Sequence, residues 1–206
     1  MAETKRIPQP MRPSGLGGRV FGVVMEWLAS PNYQWALRQL APVKPKSWLE
    51  IGFGTGRLAQ LATQRFALDR LCGVDPSELM LRTTARRLRA FAKRNALDLR
   101  LGDDTLLARW PDGAFDAIVT SHSWQFWSDP AATLPRVRAH LAPQGRFVMV
   151  IRRHISKEVF AWIPNPVTKS GNELAGLRAA LAVAGFTVLV DETLSTGSQG
   201  IVAAAR

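Results

Sequence analysis

Between Lys46 and Arg152 the chain alternates short apolar runs with segments of helical period, and this alternation restricts the fold more than any other property of the sequence. "KSWLEIGF" and "RLCGVD" are continuously apolar, as strands buried on both faces are, and each leads into a helical pattern, "GRLAQLATQRF" and "PSELMLRTTARRLRAFAKRN". "LDLRLGDD", "FDAIVTS" and "GRFVMVIRR" supply three more strands, and "DPAATLPRVRAHLAP" a helix closed by a turn from Pro143 to Gly145. Neighbouring parallel strands need crossover connections, and crossovers are right-handed. The expected fold is therefore α/β, a three-layer sandwich with helices on both faces of a mostly parallel sheet. Ser170 with Glu173 forms a capping box opening the helix "NELAGLRAALAVAG", which Gly185 closes. "FTVLVDETL" and "GIVAAAR", joined by "STGSQ", then form a C-terminal antiparallel hairpin and bring the sheet to seven strands.

In such a sheet, ligands bind beyond the carboxyl ends of the strands, near the point where strand order reverses. That rule gathers Glu50 to Gly56, Asp75, Asp103 and the stretch from Ser121 to Trp127 around one crevice. Gly52, Gly54 and Gly56 let the backbone turn sharply and admit a ligand close to the main chain. The obvious ligand is a dinucleotide, with Asp75 on its ribose. Its fingerprint is G-x-G-x-x-G, whereas the spacing here is G-x-G-x-G followed by Arg57. Charge argues further against it, because Glu50 would repel a pyrophosphate in a shielded cleft. S-adenosylmethionine reverses that sign: it carries a sulfonium and an ammonium, no phosphate, and the same adenosine end.

The order of these segments resembles the class I S-adenosylmethionine-dependent methyltransferases. "LEIGFGTGRLA" resembles their first motif, "LCGVDPSELML" the second, "LGDD" the third and "FDAIVTSHSWQFWSDP" the fourth. "LPRVRAHLAPQGRFVMV" is similar to the helix, turn and fifth strand that follow, so the resemblance is close over residues 45–152 and looser in the hairpin. Within the family, the chain looks most like small bacterial enzymes of the ubiquinone-biosynthesis type. The resemblance implies a Rossmann-like sheet, with residues 1–40 as an N-terminal tail and covering helices and residues 41–206 as the methyltransferase domain.

It also implies roles. Glu50 with the backbone of Gly52, Gly54 and Gly56 would hold the methionine part, and Asp75 the ribose hydroxyls, with Pro76 and Met80 bordering the adenine. Asp103, with Asp104 or Thr105 as its neighbour, would accept from the adenine amine. Ser121 and His122 would lie nearest the transferring methyl, and S-adenosylhomocysteine would be the product. A base is needed only if the acceptor loses a proton, and His122 is then the candidate catalytic residue.

The acceptor is narrowed by what is missing. Enzymes methylating exocyclic amines carry Asn or Asp before Pro-Pro-aromatic where this chain has "SHSW", and those attacking cytosine carbon use a cysteine there, whereas Cys72 lies in an apolar strand. A small-molecule or lipid-like acceptor is favoured. The net charge of +11 concentrates in the helix spanning 82–100, where Arg82, Arg86, Arg87, Arg89, Lys93, Arg94 and Arg100 face a lone Asp98. Nucleic acid or anionic membrane could meet that stripe, though a solvated helix face is the favoured reading. One cysteine and three scattered histidines, His122, His140 and His154, give no metal-ligand spacing. No export signal or spanning segment is apparent, so the expected location is cytoplasmic.

Two segments are expected to shape the acceptor site: an N-terminal helix broken near Pro31, and "HISKEVFAWIPNPVTK" before Ser170, which could form a lid. The expected activity is methyl transfer. The competing expectation is a protein that senses S-adenosylmethionine, or associates with RNA or membrane, without transferring a methyl.

Overall fold

The computed structural model describes residues 30–110, 113–127, 129–153 and 169–206. Helix α1 (residues 30–40) precedes β1 (Ser47–Ile51), α2 (Arg57–Arg65), β2 (Arg70–Asp75), α3 (Glu78–Arg87), α4 (Arg89–Ala92) and β3 (Ala96–Leu101). Then come β4 (Phe115–Ser121), α5 (Pro130–His140), β5 (Leu141–Ile151), α6 (Gly171–Val183), β6 (Phe186–Thr193) and β7 (Gln199–Ala205). The strands form one seven-stranded sheet in the order β3-β2-β1-β4-β5-β7-β6. Every pair from β3 to β5 is parallel, and β7 is antiparallel to both β5 and β6. Strand order reverses between β1 and β4, which opens the crevice at their carboxyl ends.

Strand alternation divides the core into two layers. In β5, Phe147, Met149 and Ile151 face a cluster containing Leu134 and Val137 of α5 and Leu174, Leu177 and Leu181 of α6. Val148 and Val150 face the opposite cluster, with Trp48, Leu58 of α2, and Trp35, Leu37 and Leu40 of α1. The apolar runs that predict doubly buried strands are therefore buried on both sides, as β4 shows from Ala117 to Val119. The capping box is present: Ser170 Oγ accepts from Glu173 N at 3.3 Å and Glu173 Oε2 from Ser170 N at 2.8 Å.

Two local expectations need revision. The helical pattern after Pro76 is divided at Leu88, whose φ and ψ of −92° and 10° separate α3 from α4 while its side chain is buried. The turn expected from Pro143 to Gly145 lies inside β5, as an irregularity in its pairing with β4: Phe115 aligns with Leu141, but Ala117 with Arg146. Pro31 is the second described residue of α1, and the part of the expected N-terminal helix before residue 30 lies outside the described residues. The lid expected at 154–170 falls mostly outside the described residues; of it, Lys169 bridges to Arg153 and Ser170 caps α6. Among the described residues no helix is long and apolar enough to cross a membrane.

Helix α1 is fastened to the far hairpin as well as to the core. Trp35 is 5% exposed, donates its indole N–H to Glu192 Oε1 at 2.6 Å, and covers Gly200, where an added Cβ would come within 2.6 Å of the ring. Trp35→Ala should lower stability in urea by about 3–5 kcal/mol, as large-to-small core changes do. A loss below about 1 kcal/mol would mean that α1 is not part of the core.

Candidate functional site

Glu50 lies in β1, paired on both sides, and is 2% exposed. The sequence puts a carboxylate there and the sheet removes it from water. Its Oε2 has no hydrogen-bond partner among the described residues. Burial pushes its pKa from 4.5 up to about 8; the Trp48 indole acts in the opposite sense, and the Asp75 charge adds to the rise. A buried acid without a partner is costly, and proteins keep such groups where a ligand completes them.

The glycine turn directly follows. Gly52 has φ of 79°, and a Cβ there would come within 2.3 Å of the Ser123 Cβ. Ser123 is itself fixed: its hydroxyl donates to Ile51 O at 2.5 Å and meets Thr120 Oγ1 at 2.5 Å. Gly54 has φ of 52°, and a Cβ there would meet nothing within 4 Å. One glycine thus lets the backbone pass a packed serine, and the next turns an open edge toward the crevice. Thr84 of α3 donates to Gly54 O at 2.9 Å and holds the loop from behind.

Asp75 ends β2 and is 6% exposed. Its Oδ2 accepts from Gly54 N at 2.8 Å and its Oδ1 from Ser77 N at 2.9 Å, so the carboxylate joins the two ligand-facing loops. Burial raises its pKa to about 6, against the pull of those two N–H groups. Each oxygen retains acceptor capacity beyond the one bond. Pro76 is half-buried and Met80 is 3% exposed, at the start of α3. Asp103 Oδ1 accepts from the N–H and hydroxyl of Thr105 at 3.0 and 2.5 Å, capping a short 3-10 helix, and both residues are exposed. Asp104 is buried and accepts from the Thr133 hydroxyl at 2.6 Å, which ties it to α5.

Past β4, Ser121 Oγ, His122 Nδ1 and Gln125 Oε1 are buried without hydrogen-bond partners among the described residues. His122 has φ of 56°, a left-handed conformation that is uncommon for a residue with a side chain and tends to be kept at functional sites. Its N–H donates to Val150 O at 2.8 Å. Asn32 of α1 meets its Nε2 at 3.1 Å, and Thr196 and Ser198 of the hairpin turn hold Asn32 at 2.6 and 3.3 Å. The 2.6 Å contact has the length of an O–H···O bond and the two longer ones suit N–H donors. That orientation puts the Asn32 amide N–H on His122 Nε2 and the imidazole proton on Nδ1. Burial, with a smaller contribution from the Arg152 charge, lowers the His122 pKa to about 4, so the ring is neutral at pH 7.

The structure thus joins Gly54 to Asp75 by a hydrogen bond, with Glu50 and Gly52 just before Gly54 in the chain, and leaves Asp103 exposed beyond β3. Asn32, Thr84 and Thr196 escape the sequence reading, and Ser123 enters it only as part of the stretch from Ser121 to Trp127. Each acts across a gap of 30 residues or more, which no local pattern signals. Among the described residues no cluster of three or more His, Cys, Asp or Glu could hold a metal ion.

Known proteins share part of this sequence and its fold. Residues 49–147 match the model of a methyltransferase domain. The chain is 28% identical over 119 residues to the uncharacterized methyltransferase YdaC of Bacillus subtilis (strain 168), covering 58% of this chain and 63% of that protein. It is 33% identical over 107 residues to the demethylmenaquinone methyltransferase of Thermus thermophilus, covering 52% of this chain and 47% of that protein. The chain thus spans less than two thirds of the length of these relatives. In fold it is similar to a chain of the complex between the Haloferax volcanii Trm112 methyltransferase activator and a putative methyltransferase, with TM-score 0.72 and 20% identity, covering 89% of this chain and 93% of that one. It is also similar to an S-adenosylmethionine-dependent methyltransferase from Aquifex aeolicus, with TM-score 0.66 and 15% identity, covering 83% and 88%.

The Glu50 environment has a consequence for stability. Its folded pKa of about 8 exceeds the ordinary 4.5, so the folded chain binds more protons than the unfolded one across that window. The stability this group allows below pH 4.5 is lost as pH rises through 8. In the absence of ligand, Glu50→Gln should therefore raise stability at pH 8.5 by on the order of 3 kcal/mol and flatten its pH dependence. Thermal denaturation across pH 5–9 checks this; a variant less stable than the parent at pH 8.5 would contradict it.

Proposed function

We propose that this chain, whose residues 49–147 form a class I S-adenosylmethionine-dependent methyltransferase domain, transfers a methyl group to a small organic or lipid-like acceptor. One observation carries the reading: a buried carboxylate, Glu50, has an unpartnered oxygen beside a glycine turn whose Gly54 edge is open. The residues fit the cofactor. Glu50 supplies the charge for its ammonium, and the Gly52–Gly54 turn the close backbone approach. Asp75 supplies acceptor capacity for the ribose hydroxyls, and Pro76 and Met80 an apolar border for the adenine. Asp103, the exposed carboxylate beyond β3, is the acceptor for the adenine amine, with Thr105 beside it and Asp104 anchoring the turn.

When bound, S-adenosylmethionine supplies an electrophilic methyl group on a positively charged sulfur, open to in-line attack by the acceptor. The chain has to orient the acceptor and exclude water. Trp124 and Trp127, 6% and 8% exposed, supply aromatic surface just past β4, with Lys169 Nζ 5.4 Å from the Trp124 ring centroid. A neutral imidazole with a pKa of about 4 is a weak base at pH 7. His122 therefore serves as a hydrogen-bond donor, through Nδ1–H, to an oxygen on the acceptor, and Asn32 keeps its proton there. Ser121 lies beside it. A small or lipid-like acceptor agrees with the buried aromatic residues Trp124 and Trp127 on this side. The relative active on demethylmenaquinone, by its name, gives an instance of such an acceptor.

Calorimetry with S-adenosylmethionine and with NADH tests the cofactor, and S-adenosylhomocysteine formed with a cell metabolite extract tests transfer. Binding of the first and not the second is expected, with the demethylated product accumulating; NADH binding alone would overturn the reading. Glu50→Gln should weaken S-adenosylmethionine at least about 30-fold at pH 8, as removal of one member of a buried charge pair does. The ligand's ammonium requires an ionised Glu50, so the parent's affinity should fall roughly tenfold per pH unit from pH 8 to pH 6. A pH-independent affinity would remove Glu50 from the site.

A further inference from the structure

A concave cationic surface lies at the other end of α3 from the cofactor crevice. Arg86, Arg87, Arg89, Ala90, Lys93 and Arg94 line a groove of about 650 Å³. The acids of the region are already committed. Glu78 pairs with Arg82 at the start of α3, and Asp98 takes a two-pronged bond from Arg100 in β3, with contacts of 3.0, 3.1 and 2.7 Å. The flanks of the basic stripe are thus neutralised and its middle is not. Among the described residues, Arg86, Arg89, Lys93 and Arg94 make no ion pair, and all four are exposed. Like charges held this close repel, and an anionic partner would relieve the repulsion.

The shape and composition distinguish between polyanions. A helix that binds a bilayer surface presents leucines or aromatic rings to the acyl boundary. Here Leu88 is buried, Phe91 is half-buried, and the exposed apolar residues between 85 and 96 are only the alanines 85, 90, 92 and 96. Nothing large enough to enter a membrane faces outward. A groove admits a strand but not a flat bilayer, and four of its five cations are guanidinium groups, whose fork matches phosphate oxygens in pairs. We propose that the α3–α4 groove binds the phosphodiester backbone of a nucleic-acid strand, independently of base sequence. Arg87 also donates to Thr55 Oγ1 at 3.3 Å, so one lining residue reaches the glycine turn and a bound strand would run alongside the cofactor loop. The strand is a docking partner, not the methyl acceptor: neither Ser121 nor His122, the residues proposed nearest the methyl, lines the groove.

Fluorescence anisotropy with a labelled single-stranded RNA 16-mer of mixed sequence, without cofactor, tests this on the full chain. Four phosphate contacts on a single strand, from Arg86, Arg89, Lys93 and Arg94, predict a log–log salt slope of about −2.8, or roughly a fiftyfold loss of affinity from 50 to 200 mM salt. Arg89→Gln with Arg94→Gln should reduce that slope by about 1.4. Arg65→Gln with Arg109→Gln, which removes the same charge from exposed positions outside the groove, should leave it unchanged; circular dichroism verifies that both variants fold. Any of three results would overturn the proposal: no saturable binding at 50 mM salt, equal losses in both variants, or tighter binding to phosphatidylcholine vesicles with 30% phosphatidylserine than to the RNA.

Discussion

The candidate site is organised around the burial of one carboxylate. Glu50 is carried into the sheet by a strand hydrogen-bonded on both sides, and no described residue answers its Oε2. Left alone, that group works against folding at neutral pH, with a pKa lifted to about 8. The same burial makes it selective, since a carboxylate in low dielectric repels phosphate and attracts a compact cation far more strongly than one in water. The glycine turn and Asp75 are built around it. Gly52 lets the loop pass Ser123, Gly54 presents an open edge, and Asp75 ties that edge to the start of α3 through Gly54 N and Ser77 N.

The opposite wall is assembled from distant parts of the chain. Asn32 in α1 and Thr196 and Ser198 in the hairpin turn converge on His122, and Trp35 with Glu192 joins the same two elements further along. The C-terminal hairpin thus completes the sheet and also sets the orientation of a side chain at the candidate site. A neutral, left-handed histidine with its Nδ1 buried and unpartnered among the described residues is a strained and polar arrangement that packing alone would not favour.

Much of this was legible in the sequence because the relevant signals are local. The strands Arg70–Asp75 and Phe115–Ser121 coincide with the apolar runs "RLCGVD" and "FDAIVTS", and the capping box of Ser170 and Glu173 opens α6. Glu50, Asp75 and the glycines stand out because their types conflict with the apolar strands that carry them. What was missed is set by contacts between remote residues. Helical periodicity runs through Leu88, where the backbone leaves the helical region while the side chain stays buried, and Pro143 to Gly145 has turn chemistry but is absorbed into β5 opposite β4. Asn32 is one polar residue in a segment whose pattern is helical, and only the folded hairpin gives it a partner. Its part in fixing the proton on His122 could not be read from spacing.

The central claim, that Glu50 is a buried acid waiting for a cation, concerns a proton as much as a ligand. Its most direct test is the number of protons exchanged when S-adenosylmethionine binds at pH 7, measured by calorimetry in buffers of different ionisation enthalpy. A group with a pKa near 8 that must ionise to receive an ammonium releases about one proton per ligand bound, and Glu50→Gln abolishes that release. Binding by the parent chain with no proton release would contradict the account.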